Sequence, residues 1–214
     1  MNNYFAVYKP FNVLSQFTSQ DEKKCLKDFF EVPDDVYPVG RLDYDSEGLL
    51  ILTNDKKLNS LLLEPVHAHE REYLVQVEGE ITNAAITALA EGIEISIDGK
   101  LHVTKKCRTF KMKQPPVLPA RNPPIRIRKN IPESWLRLII TEGKNRQVRK
   151  MTAKAGYPTL RLIRYRIEKV TIEGLQPGEM KMFSQREMYN LLNIKKEQHV
   201  EINDRVWKGR TNNK

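Results

Sequence analysis

Three carboxylates occur at alternate positions in residues 40–48, where the sequence is Gly-Arg-Leu-Asp-Tyr-Asp-Ser-Glu-Gly. Asp43, Asp45 and Glu47 lie between two apolar stretches that are typical of strands, so we expect them to occupy a loop. A loop that rigid strands hold in place is a common location for catalytic groups. Its carboxylates could bind a cation, work as an acid–base pair, or act singly as a nucleophile or base.

The spacing of these carboxylates disfavours two of the three chemistries. A calcium loop of this type needs a bidentate glutamate at its twelfth position, but the chain has Asn54 there and strands on both flanks. A glycosidase-like pair needs two carboxylates that converge, and we expect Asp43 and Asp45 not to converge. A single carboxylate held by an arginine, such as Arg41 or one in residues 144–150, would stay ionised and oriented. From composition alone, an ordinary solvated turn is an equally open interpretation.

Basic residues dominate two further stretches of the chain. The 214 residues carry a formal net charge of +9, and the sequence pI is about 9.5. Residues 105–129 contain nine Lys or Arg and no Asp or Glu, and residues 141–166 contain eight basic residues and one Glu. Such a surface attracts polyanions, most commonly nucleic acid. The pattern therefore favours a nucleic-acid partner, although many basic proteins carry such charge for solubility alone.

Several classes of protein are disfavoured by the same sequence. It contains no apolar run long enough to cross a membrane and no basic-then-apolar leader. Cys25 and Cys107 lie far apart, fit no metal-binding spacing and suggest a reducing cytoplasm. His67 and His69 lack the further ligands of a metal site, so we expect them in a surface turn. We predict neither a bound metal nor a membrane partner.

The apolar periodicity predicts an α+β domain around a mixed, mostly antiparallel central sheet flanked by helices. About eight strands are expected, at residues 4–8, 49–52, 72–77, 93–97, 102–112, 135–140, 160–167 and 169–175. Helices are expected at residues 19–30 and 145–155, and after N-caps at 54–55, 82–83 and 184. We assign residues 1–194 to one domain with a basic, proline-rich loop at 105–134, and residues 195–214 to a polar tail.

Four segments together resemble the pseudouridine synthases of the RsuA/RluE branch. Residues 40–55 (GRLDYDSEGLLILTND) are similar to the branch's signature, with Glu47 as a departure inside its Ser/Thr-Gly turn. The Lys-Pro motif is matched by residues 8–17 (YKPFNVLSQF), the K-x-Y strand by residues 71–79 (REYLVQVEG), and the third motif by residues 142–167. The resemblance implies the pseudouridine synthase fold over residues 1–194, with an active-site cleft across the sheet.

Roles follow from this resemblance for individual residues. It implies that Asp43 is the catalytic aspartate, that Tyr73 stacks on the target base, and that Arg149 pairs with the aspartate. It further implies that Arg41 holds the displaced nucleotide and that Leu162 forms a wall of the pocket. Other basic residues are expected to bind RNA: Lys9, Lys144, Arg146, Arg121, Arg126, Arg128 and Lys129.

The resemblance also implies a function. Because the Lys-Pro motif already begins at residue 9, we expect the N-terminal RNA-binding module common in the family to be missing. Residues 120–135 resemble a loop typical of the RluE-like subgroup. That subgroup isomerises a specific uridine of large-subunit ribosomal RNA to pseudouridine after flipping out the base, and needs no cofactor. We expect a cytoplasmic monomer. A transfer-RNA pseudouridine synthase and a non-catalytic rRNA-binding or ribosome-assembly protein are the alternatives.

Overall fold

A computed structural model describes residues 2–126, 128 and 131–194, so Lys129 and the expected tail at 195–214 lie outside the described residues. The strands are β1 (Tyr4–Lys9), β2 (Tyr37–Pro38), β3 (Glu47–Thr53), β4 (Arg71–Glu78), β5 (Glu94–Ile97), β6 (Lys100–Val103), β7 (Arg108–Lys111), β8 (Glu133–Ile140), β9 (Thr159–Ile167), β10 (Val170–Thr171) and β11 (Met180–Phe183). Nine of them form one sheet in the order β11-β1-β3-β9-β4-β8-β7, with β2 beside β3 and β10 beside β9. Among these strand pairs only β3 and β9 run parallel, so the predicted mixed, mostly antiparallel sheet is confirmed.

Four α-helices accompany the sheet in the described part of the chain. They are α1 (Lys56–Leu63), α2 (Asn83–Glu91), α3 (Gln147–Lys154) and α4 (Gln185–Leu191). The carboxylate of Asp55 caps α1 by accepting from two backbone N–H groups, and the Thr82 hydroxyl caps α2 by accepting from the Ala85 N–H. Ser184 and Glu187 form a capping box at the start of α4. These caps satisfy the free N–H groups of each first turn, as the sequence predicted.

Three parts of the predicted secondary structure are wrong. Residues 19–30 form only a single 3-10 turn at Leu26–Asp28, because Asp21 and Glu22 have φ values of 52° and 56° that no right-handed helix permits. The strand expected at residues 102–112 is two strands, β6 and β7, separated by residues 104–107. Strand β11 was not predicted; its side chains are mainly exposed, so it gives little apolar signal.

One row of directly paired residues crosses the middle of the sheet. Lys9 pairs with Gly48, Gly48 with Arg164, and Arg164 with Tyr73. Directly paired residues project from the same face, so the Arg164 and Tyr73 side chains are neighbours. Gly48 has a φ of 106°, and a Cβ there would lie 2.3 Å from the carbonyl oxygen of Arg164. Glycine therefore allows β3 and β9 to approach each other at this point.

Candidate active site

A cleft of about 870 Å³ opens on this face of the sheet. Its floor includes Tyr73, Leu162 and Arg164 from the central strands β4 and β9. Its rim comes from residues 39–46, 62–69 and 140–148 and from the hairpin of β5 and β6. Asp43 lies on this rim, so the fold brings the carboxylate, the aromatic ring and the apolar wall of the sequence prediction to one cavity.

The backbone before Asp43 is fixed by a buried serine. The Ser15 hydroxyl donates to the carbonyl of Leu42 at 2.7 Å and accepts from the Leu42 N–H at 3.0 Å. The Asp43 carbonyl then accepts from the Ser46 N–H at 3.0 Å, which closes a tight turn. A residue held by a two-way hydrogen bond on one side and a turn on the other has little freedom. The Asp43 carboxylate is therefore presented to the cleft in a defined position.

Both aspartates of the loop face one arginine. Arg146 donates to the two carboxylate oxygens of Asp45 at 2.8 Å each, and its Nη1 lies 3.6 Å from Asp43 Oδ2. The expectation that the two carboxylates would not converge is thus wrong, since the turn at residues 43–46 directs both to the same guanidinium. Burial by itself would raise the pKa of Asp45, but the hydrogen bond from Arg146 and the nearby Arg149 charge outweigh it and lower that pKa.

Arg149 does not occupy the position that the resemblance implied. Its Nη2 donates to the backbone carbonyl of Asp45 at 2.5 Å, and its Nε lies 3.4 Å from the Asp45 carboxylate. The direct ion pair with Asp43 comes instead from Arg146, one helical turn earlier and at the N-cap of α3. Arg149 therefore holds the loop through Asp45, and its predicted contact with Asp43 is wrong.

Two charged residues of the motifs are buried in structural roles. The Glu47 carboxylate forms a two-point ion pair with Arg161, with distances of 2.8 and 2.7 Å, and both side chains are almost fully buried. Lys9, expected to contact RNA, is fully buried and donates to the carbonyls of Pro10 and Val13. Burial lowers its pKa to about 7. The prediction that Lys9 binds RNA is therefore wrong, because its ammonium group has no exposed surface.

Apart from the buried Lys9, the predicted RNA-binding residues fall into two groups. Arg41, Lys144 and Arg146 line the cleft. The others belong to the proline-rich loop and do not line it: Arg121 stacks on the Phe11 ring at 4.1 Å, Arg126 is exposed, and Arg128 pairs with Glu78 at 3.0 Å. The Lys129 prediction falls outside the described residues.

Sequence reasoning missed two arginines of the cleft, Arg71 and Arg164. Arg71 stands two positions before Tyr73 on β4, and this spacing places two residues of a strand on the same face, so its presence could have been inferred. Arg164 could not, because only the pairing of β9 with β4 brings it beside Tyr73. A strand pairing between residues so distant in sequence leaves no local signal.

A metal site requires a cluster of ligating side chains, and a membrane-spanning helix requires a long apolar stretch. No group of three or more His, Cys, Asp or Glu side chains among them is arranged to hold a metal ion. His69 and His102 each contact a single glutamate, Glu168 and Glu142 respectively. No helix of residues 2–126, 128 or 131–194 is both long and apolar enough to cross a bilayer.

The family model, the similar sequences and a similar solved structure all indicate the same protein family. The model of the RNA pseudouridylate synthase family matches residues 3–154. Ribosomal large subunit pseudouridine synthase E of Vibrio vulnificus is 48% identical over 176 residues, which cover 82% of this chain and 73% of the relative. The same-named protein of Xanthomonas campestris is 44% identical, over 81% of this chain and 91% of the relative. A crystal structure of a pseudouridylate synthase superposes with a TM-score of 0.71 and 27% identity, over 89% of this chain and 74% of that chain.

Proposed function

This chain belongs to the RNA pseudouridylate synthase family, and we propose that it isomerises one uridine of large-subunit ribosomal RNA to pseudouridine. The observation that carries the proposal is the presence of the Asp43 carboxylate on the rim of a cleft whose floor holds Tyr73 and Leu162. The names of the similar proteins, ribosomal large subunit pseudouridine synthase E, support the choice of RNA.

The reaction exchanges one bond to the ribose for another. The N1–C1′ bond breaks, the uracil turns, and a C5–C1′ bond forms while C5 loses a proton and N1 gains one. Reactant and product are isomers, so atoms and electrons balance and we propose that no cofactor takes part. Asp43, whose Oδ2 lies 3.6 Å from Nη1 of Arg146, either attacks C1′ or removes the C2′ proton.

The detached uracil has to stay in the cleft between the two bond changes. We assign this task to Tyr73, whose ring offers a stacking surface, and to Leu162, which closes the apolar side. A uridine stacked in RNA cannot reach such a cavity, so the base is flipped out at a cost of roughly a few kcal/mol. Phosphate contacts from the basic rim, including Arg41 and Lys144, offset that cost.

The remaining assignments concern the organisation of the protein. Residues 1–194 form the catalytic domain, in which Arg126 and Arg128 of the proline-rich loop extend the RNA-binding surface beyond the cleft. The protein works as a monomer in the cytoplasm, where ribosomal RNA is made and modified.

The test is a pseudouridine map of total ribosomal RNA and transfer RNA from cells with and without the gene. We expect one uridine of large-subunit rRNA to lose its modification, and we expect the wild-type gene but not Asp43→Asn to restore it. The Asn variant keeps the size of the side chain and removes only its charge. Identical rRNA maps, or full rescue by Asp43→Asn, would contradict the proposal, and a change confined to transfer RNA would reassign the substrate.

A further inference from the structure

Two arginines of the cleft lack the partners that other arginines of the same sheet have. Among the described residues, no carboxylate forms an ion pair with Arg71 or with Arg164, which is only 4% exposed. Arg161 and Arg166 lie on the same strand as Arg164, and each is paired with a buried glutamate, at 2.7 and 2.5 Å. Arg164 is thus a buried cation for which the described part of the fold supplies no counter-charge.

Backbone carbonyls hold both guanidinium groups in place. Arg71 donates to the carbonyls of Leu62 and His69 at 2.8 and 3.1 Å, and Arg164 donates through Nε to the carbonyl of Leu49 at 2.7 Å. The Arg164 Nη2 is buried and has no hydrogen-bond partner among the described residues. These contacts orient both side chains, yet they leave N–H groups of each guanidinium for another acceptor.

Both arginines line the same cleft, so their like charges oppose each other. Burial lowers the pKa of Arg71, and the charge of Arg164 lowers it further, while Tyr73 and Glu168 act in the opposite direction. A buried cation without a counter-charge is costly, as for Arg164, and the half-buried Arg71 adds a second positive charge to the same cavity, so an anionic occupant is favoured. A neutral uracil carbonyl could accept a hydrogen bond there, but it would leave the repulsion in place.

We propose that Arg71 and Arg164 form a phosphate-binding subsite of the cleft that takes an RNA phosphodiester flanking the target uridine. The inference rests on the proposed function, since it needs RNA in the cleft. A guanidinium binds a phosphate through two parallel N–H groups, which suits fixed arginines that still have free donors. Because Tyr73 pairs directly with Arg164, the subsite anchors the ribose–phosphate backbone beside the ring that receives the base.

The test combines a neutral phosphate in the RNA with a neutral side chain in the protein. Single methylphosphonates are placed 5′ and 3′ of the mapped uridine in an rRNA fragment, and the Kd is measured for wild type, Arg71→Gln and Arg164→Lys. At one of these positions we expect the methylphosphonate to weaken RNA binding by the wild type about 10-fold or more. Arg71→Gln already binds the unmodified RNA more weakly, and we expect the methylphosphonate to weaken its binding little further. Arg71→Gln should also reduce the dependence of log K on log salt by roughly 0.7–0.9.

A control and a second readout keep the outcomes distinct. Arg186→Gln changes an exposed arginine of α4 outside the cleft, and we expect it to behave as wild type with both RNAs. The methylphosphonate measurement on wild-type protein does not depend on how any variant folds. If neither flanking methylphosphonate weakens wild-type binding, or if the losses with Arg71→Gln are additive, the subsite is overturned. Conversion of the unmodified fragment by wild type is measured in parallel, and its failure would instead overturn the proposed function.

Discussion

The contact between β3 and β9 at Gly48 predicts a large loss of stability on Gly48→Ala. An added Cβ would lie 2.3 Å from the Arg164 carbonyl oxygen and 2.8 Å from its nitrogen, and backbone atoms cannot move aside as a flexible side chain can. The positive φ of 106° adds conformational strain of roughly 1–2 kcal/mol. Separating two packed strands costs roughly a further 1–3 kcal/mol. We therefore expect the free energy of unfolding to fall by about 2–5 kcal/mol.

A second glycine separates the two contributions. Gly174 also has a positive φ, of 80°, but no atom lies within 4 Å of the position that its Cβ would take. Gly174→Ala therefore carries the conformational strain alone, about 1–2 kcal/mol. Urea unfolding of the two variants and the wild type, followed by circular dichroism, measures the difference. If Gly48→Ala destabilises the protein no more than Gly174→Ala, the close approach of β3 to β9 does not limit this position.

Three further substitutions test other parts of the site. Glu47→Gln should lower the free energy of unfolding by roughly 3–5 kcal/mol, because it leaves Arg161 buried without a counter-charge; a double variant with Arg161→Met should recover part of that loss in urea unfolding. Arg146→Gln should lower kcat in a single-turnover assay by roughly 10- to 100-fold, because Asp43 loses its ion pair. An equal effect of Lys144→Gln in the same assay would show that the positive charge of the cleft matters and the Arg146–Asp43 pair does not. The pKa of Lys9 is about 7 in the folded protein, against an ordinary value of 10.5. Between these two pH values the unfolded chain binds one more proton than the folded chain, so the free energy of unfolding of the wild type should rise from pH 7 to pH 10. Lys9→Met should abolish that component of the rise; parallel stability–pH curves for the two proteins would contradict it.

The sequence predicted most of the sheet and the main chemical groups of the cleft. Alternating apolar strands and capped helices were recognisable because their signals are local, and Asp43, Tyr73 and Leu162 lie in recognisable motifs. Errors arose where a contact between residues distant in sequence, or the local backbone conformation, decides where a side chain lies. Whether Lys9 is buried depends on strands far away in the sequence. Arg146, and not Arg149, forms the ion pair with Asp43, because the loop meets the start of α3 where Arg146 has a φ of 53°.

The place of β9 in the sheet has a consequence for how the protein is made. β9 lies between β3 and β4, although 115 residues separate Leu49 from the Arg164 side chain that donates to it. A ribosome that has synthesised β3 and β4 has therefore produced two strands whose shared neighbour does not yet exist. Those strands keep open edges until β9 emerges, which slows folding and exposes the nascent chain to non-native pairing. The same order means that Tyr73 of β4 and Leu162 of β9 can line one cleft only after most of the described chain has been translated.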